Sequence, residues 1–139
     1  MLDNNDSQVA LLYYLKNNTA IDTVLNDNGV DDDEIREKFW QGTEFSYPNV
    51  RIACQVTPVQ ADCGPDTLSF VVSVSSEEKS SKQSMVIAGT IAKQLHNKAF
   101  TNNGVRMNHV QVLLLPYSAQ EEGIWRSDVQ AKAQISPAS

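Results

Sequence analysis

The sequence predicts a small α/β (α+β) domain: one mainly antiparallel four-stranded sheet, an N-terminal helix, and one long helix between two strand pairs, in the order β-β-α-β-β. Three patterns predict it. Residues 50–57 and 68–75 alternate apolar and polar side chains, residues 80–95 carry an apolar stripe at helical spacing, and residues 105–135 return to strand-like runs. The ββαββ core covers residues 47–135, after a helical and irregular part (1–46) and before a fraying tail (136–139). A chain of 139 residues fits one domain, residues 1–139.

At the start, Asp6 or Ser7 can cap a helix in which Val9, Leu12, Tyr13 and Leu15/Lys16 follow helical spacing. Thr19 caps a second short turn through Ile21, Val24 and Leu25, stopped by Asn26-Asp27-Asn28-Gly29. The acidic run Asp31–Glu34 complements a helix N-terminus, so a short helix is expected from Ile35 to Trp40. Val50, Ile52, Cys54 and Val56 share one face of a strand, and Leu68, Phe70, Val72 and Val74 share one face of the next. Pro58 and the Asp62–Asp66 cluster join them as a hairpin. Ser80 with Gln83 matches a capping box opening a helix through Leu95, with Met85, Ala88, Ile91, Ala92 and Leu95 on its apolar stripe. Gly89 is unusual in mid-helix and costs up to about 1 kcal/mol relative to Ala; close packing on a sheet or simple tolerance explains it. Asn102-Asn103-Gly104 turns the chain into a strand, Val105–Leu115, whose apolar end suggests a central strand covered on both faces. Pro116 ends it, and residues 118–123 form a loop. In the last strand Trp125, Val129, Ala131, Ala133 and Ile135 point in, and Arg126, Asp128, Gln130, Lys132 and Gln134 point out.

Composition narrows the function. The hydrophobic share is 41% and the net charge is −6, with a pI of about 4.7. Such a surface does not grip phosphates, which requires clustered Lys and Arg, but its like charge suits a protein that DNA slides past. Cys54 and Cys63 are too few for a secreted disulfide scaffold; they could pair in an oxidising compartment or remain thiols, with Cys54 as a small core hydrophobe. No basic region followed by an apolar run marks a signal peptide, and no apolar run reaches the roughly 18–20 residues of a membrane span. A soluble protein made in a cytoplasm is expected.

Motifs for catalysis or cofactors are missing. His96 and His109 have no partner at zinc spacing, so both read as structural. The acidic run invites calcium, but aligning the EF-hand glycine on Gly29 puts Val24 and Ile35 at ligand positions. No phosphate loop or nucleophile elbow is present, and Glu121-Glu122 lacks a context that would oppose two carboxylates across a substrate. No enzyme activity, cofactor or metal is expected. The aromatic residues need another explanation. Phe39, Trp40, Phe45, Tyr47, Tyr117 and Trp125, with Arg126, fall in loops or strand starts. Aromatics with polar handles are enriched at protein interfaces. They serve either to cover the ends of a small sheet or to form an assembly surface.

The ordered pieces SYPNVRIACQV (46–56), LSFVVSVSSEEKSSKQSMVIAGTIAKQLHNKAF (68–100), VQVLLLP (110–116) and EEGIWRSDVQAKAQI (121–135) resemble the tail-terminator or tail-completion proteins of long-tailed bacteriophages. The likeness rests on a proline before the first strand, a strand ending in serines, a helix ending in Leu-His, and a Trp-Arg opening on the last strand. It implies a non-enzymatic virion protein of the tail or neck, assembled in the bacterial host cytoplasm. Its partners would be itself in a homohexameric ring, the tail tube protein below and the head-to-tail connector or stopper above. DNA would pass through without specific binding, and no membrane is involved. The rivals are another connector or tube component, and a non-viral ligand-binding α/β domain.

Overall fold

The last strand, and not the apolar run at Val110–Leu115, is the axis of the sheet. In the computed structural model, which describes residues 2–38, 46–58, 65–114, 116 and 118–138, the elements run in chain order as follows. Helices α1 (Asn4–Lys16) and α2 (Thr19–Asp27) come first, then a 3-10 turn (Asp32–Glu34), β1 (Ile35–Glu37), β2 (Asn49–Thr57) and β3 (Asp66–Ser76). Helix α3 (Lys82–Leu95), β4 (Phe100–Asn102), β5 (Val105–Val112), β6 (Ser118–Glu121) and β7 (Ile124–Pro137) complete the chain. The seven strands form one curled, mixed sheet in the order β1-β2-β3-β7-β5-β4, with β6 also on β7. This overturns the expected four-stranded, mainly antiparallel ββαββ sheet with one N-terminal helix: the described residues form three α-helices, and β1 runs parallel to β2.

Where alternation is long, the register follows it. Val50 faces Val74, Ile52 faces Val72, Cys54 faces Phe70 and Val56 faces Leu68, so the inward sets of the β2–β3 hairpin meet. A one-residue slip would turn every one of them to solvent. Along β7, Ser127, Val129, Ala131, Ala133 and Ile135 are buried. β7 pairs with β3 from Trp125 to Ile135 on one side, and with β6 and then β5 on the other. β5 therefore lies next to the short edge strand β4, and the expected central strand through Leu115 is corrected: β5 stops at Val112.

Short elements went astray for local reasons. The acidic run does not lead a helix. Asp31 caps the 3-10 turn by accepting from the Asp33 N–H (2.9 Å), and Arg51 Nη1 donates to the Glu34 carbonyl (2.7 Å). The chain thereby enters the sheet with Ile35, fully buried, beside Val50. Helix α1 starts at Asp3, which forms a reciprocal capping box with Asp6. Its buried face is Ser7, Ala10, Leu11 and Leu15, while Val9 and Tyr13 are 40% and 58% exposed. α1 lies across the mouth of the curl, touching β1 and β2 on one side and β4 and β5 on the other. Asn4 Oδ1 accepts from the Val56 N–H (2.7 Å), and Asn103 Nδ2 donates to the Asp6 carbonyl (3.3 Å). One helix thus ties both margins of the sheet and covers edges that would otherwise invite pairing.

Helix α3 packs over β3 and β7, burying Ser84, Ile87, Ala88, Ile91, Ala92 and Leu95; Met85, expected on that stripe, is exposed. The expected Ser80–Gln83 capping box is absent. Gln83 instead donates to Asn28 Oδ1 at the end of α2 (3.2 Å) and accepts from Ser76 Oγ (2.5 Å). Asn18, the N-cap of α2, accepts from the Ile21 N–H (3.1 Å) and donates to Gln94 Oε1 (3.2 Å), so α2 runs antiparallel beside α3. Among the described residues, no helix is long and apolar enough to cross a membrane.

Candidate assembly surface

The feature of most interest arises where the sheet ladder breaks. Val112 pairs with Ala131, and the next pair is Ser118 with Ser127. Between these two pairs the first strand has more residues than its partner, so the register does not run through. The Leu113 N–H still donates to the Gln130 carbonyl (2.8 Å); beyond it the chain leaves the ladder. An apolar run that cannot follow the strand is displayed instead of buried, with Leu113 47% and Leu114 58% exposed.

Facing this excursion is one side of α3. Gly89, Ala92, Lys93 and His96 form one wall and Val112, Leu113, Leu114 and Pro116 the other, enclosing a groove of about 480 Å³. A Cβ at Gly89 would meet nothing within 4 Å. Close packing on the sheet is thus not the reason for this glycine, which borders open space. His96 fastens the two walls, because its Nδ1 accepts from the Val112 N–H (3.2 Å). The neighbouring His109 sits at a one-residue bulge between Asn108 and Gln111, at a positive φ of 50°.

The interface candidates divide. Phe39, Trp40, Phe45 and Tyr117 lie outside the described residues, as does Cys63. Tyr47 is half-buried before the cis Tyr47–Pro48 peptide. Trp125 is half-buried on the inner side of β7, and among the described residues nothing accepts a hydrogen bond from its buried indole Nε1. Arg126, next in the strand, points to the outer face and pairs with Asp128 (3.3 Å). There it lines, with Arg51 and Ser73, a shallow depression of about 300 Å³. Strand alternation places Trp125 and Arg126 on opposite faces, so they do not form one patch.

Sequence reasoning missed the groove, though signals existed. A six-residue apolar run closed by Pro116, followed by a short alternating run and Glu122-Gly123, marks an interrupted hairpin; Glu122 and Gly123 both take positive φ (52° and 80°). Also unforeseen is a hydroxyl triangle. Ser84 and Ser118 approach at 3.2 Å, Ser118 and Ser127 at 2.5 Å, and Ser127 donates to Ser84 at 3.0 Å. It pins α3 to β6 and β7 and satisfies buried polar atoms. At the surface, the Asp31, Asp32 and Asp33 carboxylates come within 4.8 Å of one another. Asp22 is held above the ordinary carboxylate range by burial, and secondarily by the charge of Asp32.

No family model matches the chain, and no curated protein matches it. A solved structure does. One chain of the "Virion of native gene transfer agent (GTA) particle" superposes with a TM-score of 0.74 at 14% identity, covering 92% of this chain and 92% of that chain. The present chain shares the fold of that virion chain along nearly its whole length.

Proposed function

We propose that this chain is a structural virion protein of a phage-type particle, and within it the tail terminator. The observation that carries the reading is the whole-length fold likeness to a virion chain, at 92% coverage both ways. The order of sequence pieces between 46 and 135, which resembles terminators, points the same way. In this reading six copies form a ring on the head-proximal end of the tail tube. The ring stops tube growth and offers its other side to the connector or stopper.

Termination has a simple physical basis. A tube grows because each end presents a heterologous, repeating surface. A ring that copies one mating face and lacks the other binds once and ends the series. Stable contacts of this kind bury about 800 Å² per partner. The exposed Leu113–Leu114 groove and the aromatic candidates, Trp40 foremost, supply apolar area for them. The protein acts without catalysis, cofactor or metal, and its net charge of −6 lets DNA pass without adhering.

Electron microscopy of the purified chain mixed with purified tail tubes tests this. A ring on one tube end, with no further elongation when tube subunits are added, is expected. Long tubes made of the chain itself, or tube ends that stay bare and keep growing, would refute it.

A further inference from the structure

Charge is segregated along this chain. Residues 79–120 hold five Lys and Arg and no Asp or Glu, in a protein whose net charge is −6. They build α3, β4, β5 and the groove. Residues 19–35 hold six Asp and Glu and no Lys or Arg, and they build α2 and the 3-10 turn. The fold sets these stretches on different sides of α3. Gln83 and Gln94 face α2 through Asn28 and Asn18, whereas Gly89, Lys93 and His96 face the groove. At about 100° per residue, the two sets lie roughly a third of a turn apart on the helix. The α2 flank therefore carries the acidic groups, with Lys82 beside Asn28 at its edge. The groove flank is apolar, with Lys93 on its wall and no Asp or Glu among its described lining residues.

We propose that copies of this chain join head to tail through these two flanks. The acidic α2–turn flank of one copy seats on the groove flank of the next. Exposed Asp27 and Asp33 meet Lys93 and Lys98, and the arriving copy covers Leu113 and Leu114. The contact rests on the ring reading and names its interface. A second copy is the occupant because the chain carries both halves of the charge pattern. A ring needs two different, complementary surfaces on every subunit. A two-fold contact centred on the groove would set groove against groove and Lys93 against Lys93. Asp22 and Asp32 already crowd one another in the lone chain, and partner cations would relieve that repulsion.

The test is a charge-reversal cycle on the full chain. Variants K93E/K98E and D27K/D33K are made singly and combined in one chain. Self-association is read by sedimentation velocity at low and high salt, and by ring occupancy of tube ends if the free chain is monomeric. All four side chains are exposed, so the variants should melt with the wild type. Each reversal should weaken association on the order of tenfold, and more at low salt. Combining both in one chain should restore it, and an equimolar mixture of the two variants should associate more tightly than either variant alone. If the wild type forms rings and the reversals leave them unchanged, this interface is wrong while the ring stands. If the wild type forms no ring in solution or on tubes, the interface and the terminator reading fall together.

Discussion

Tyr14 ties two layers with one side chain. Its ring stacks on Phe100 of β4 (centroids 4.0 Å apart, planes at 6°) and its hydroxyl donates to the Gln94 carbonyl of α3 (2.5 Å). Tyr14→Phe keeps the stack and leaves that carbonyl short of a donor, so a loss of about 1 kcal/mol is expected from urea unfolding. Nothing in the sequence marked Tyr14, because its partners lie in segments far along the chain. Cys54 was legible: alternation placed it inward, and burial pushes its thiol up from 9.0 to about 12. The folded state holds that proton while the unfolded chain releases it. The resulting stability is complete below pH 9 and lost as pH climbs through about 12. Cys54→Ala should flatten the alkaline decline of the unfolding midpoint over that window; an unchanged slope would show the thiol to be solvated. At His109 the positive φ favours glycine. His109→Gly should be no less stable than wild type, whereas His109→Val should lose about 1–2 kcal/mol, read as melting temperature.

Long elements announced themselves and short ones did not, for a physical reason. β2, β3 and β7 each bury one face along many residues, so period-two alternation marked their extent and the β2–β3 hairpin, while the β3–β7 pairing was not read from it. β1, β4 and β6 have three, three and four residues, too few for a period to show, and they are held by neighbours distant in sequence. The α1 stripe was only partly legible: Leu15 is buried as expected, but Val9 and Tyr13 face solvent and Ser7, Ala10 and Leu11 complete the buried face. Capping was partly legible: the start of α2 was found at Thr19, one residue after its actual cap. Asn18→Ala removes both that cap and the bond to Gln94, and should cost about 1–2 kcal/mol by thermal unfolding. The groove belongs to this scale too, since β5 ends at Val112 and leaves Leu113 and Leu114 exposed. Leu114→Asp, at a residue 58% exposed, should change folding stability by no more than about 0.5 kcal/mol. The same change should weaken self-association or tube capping on the order of tenfold. A collapse of melting temperature with association intact would make Leu114 a structural residue instead.

For the whole molecule, the described residues form a curled seven-stranded sheet crossed by α1, with α3 packed on it and α2 beside α3. The sequence predicted a small α/β protein but too few strands, because the edge strands and the parallel β1 pairing are decided by tertiary contacts. Of the interface candidates, Trp125 and Arg126 sit on opposite faces of β7, and the described lining of the groove is made of other residues. Surface chemistry of that kind becomes visible only once distant segments meet. The central claim, that this protein ends tail growth and readies the tail for the head, is tested most directly by deleting its gene in the producing cell and imaging the particles. The account predicts tail tubes of uncontrolled length, unjoined to filled heads, with both defects cured by supplying the protein. Tails of normal length joined to heads in its absence would contradict it.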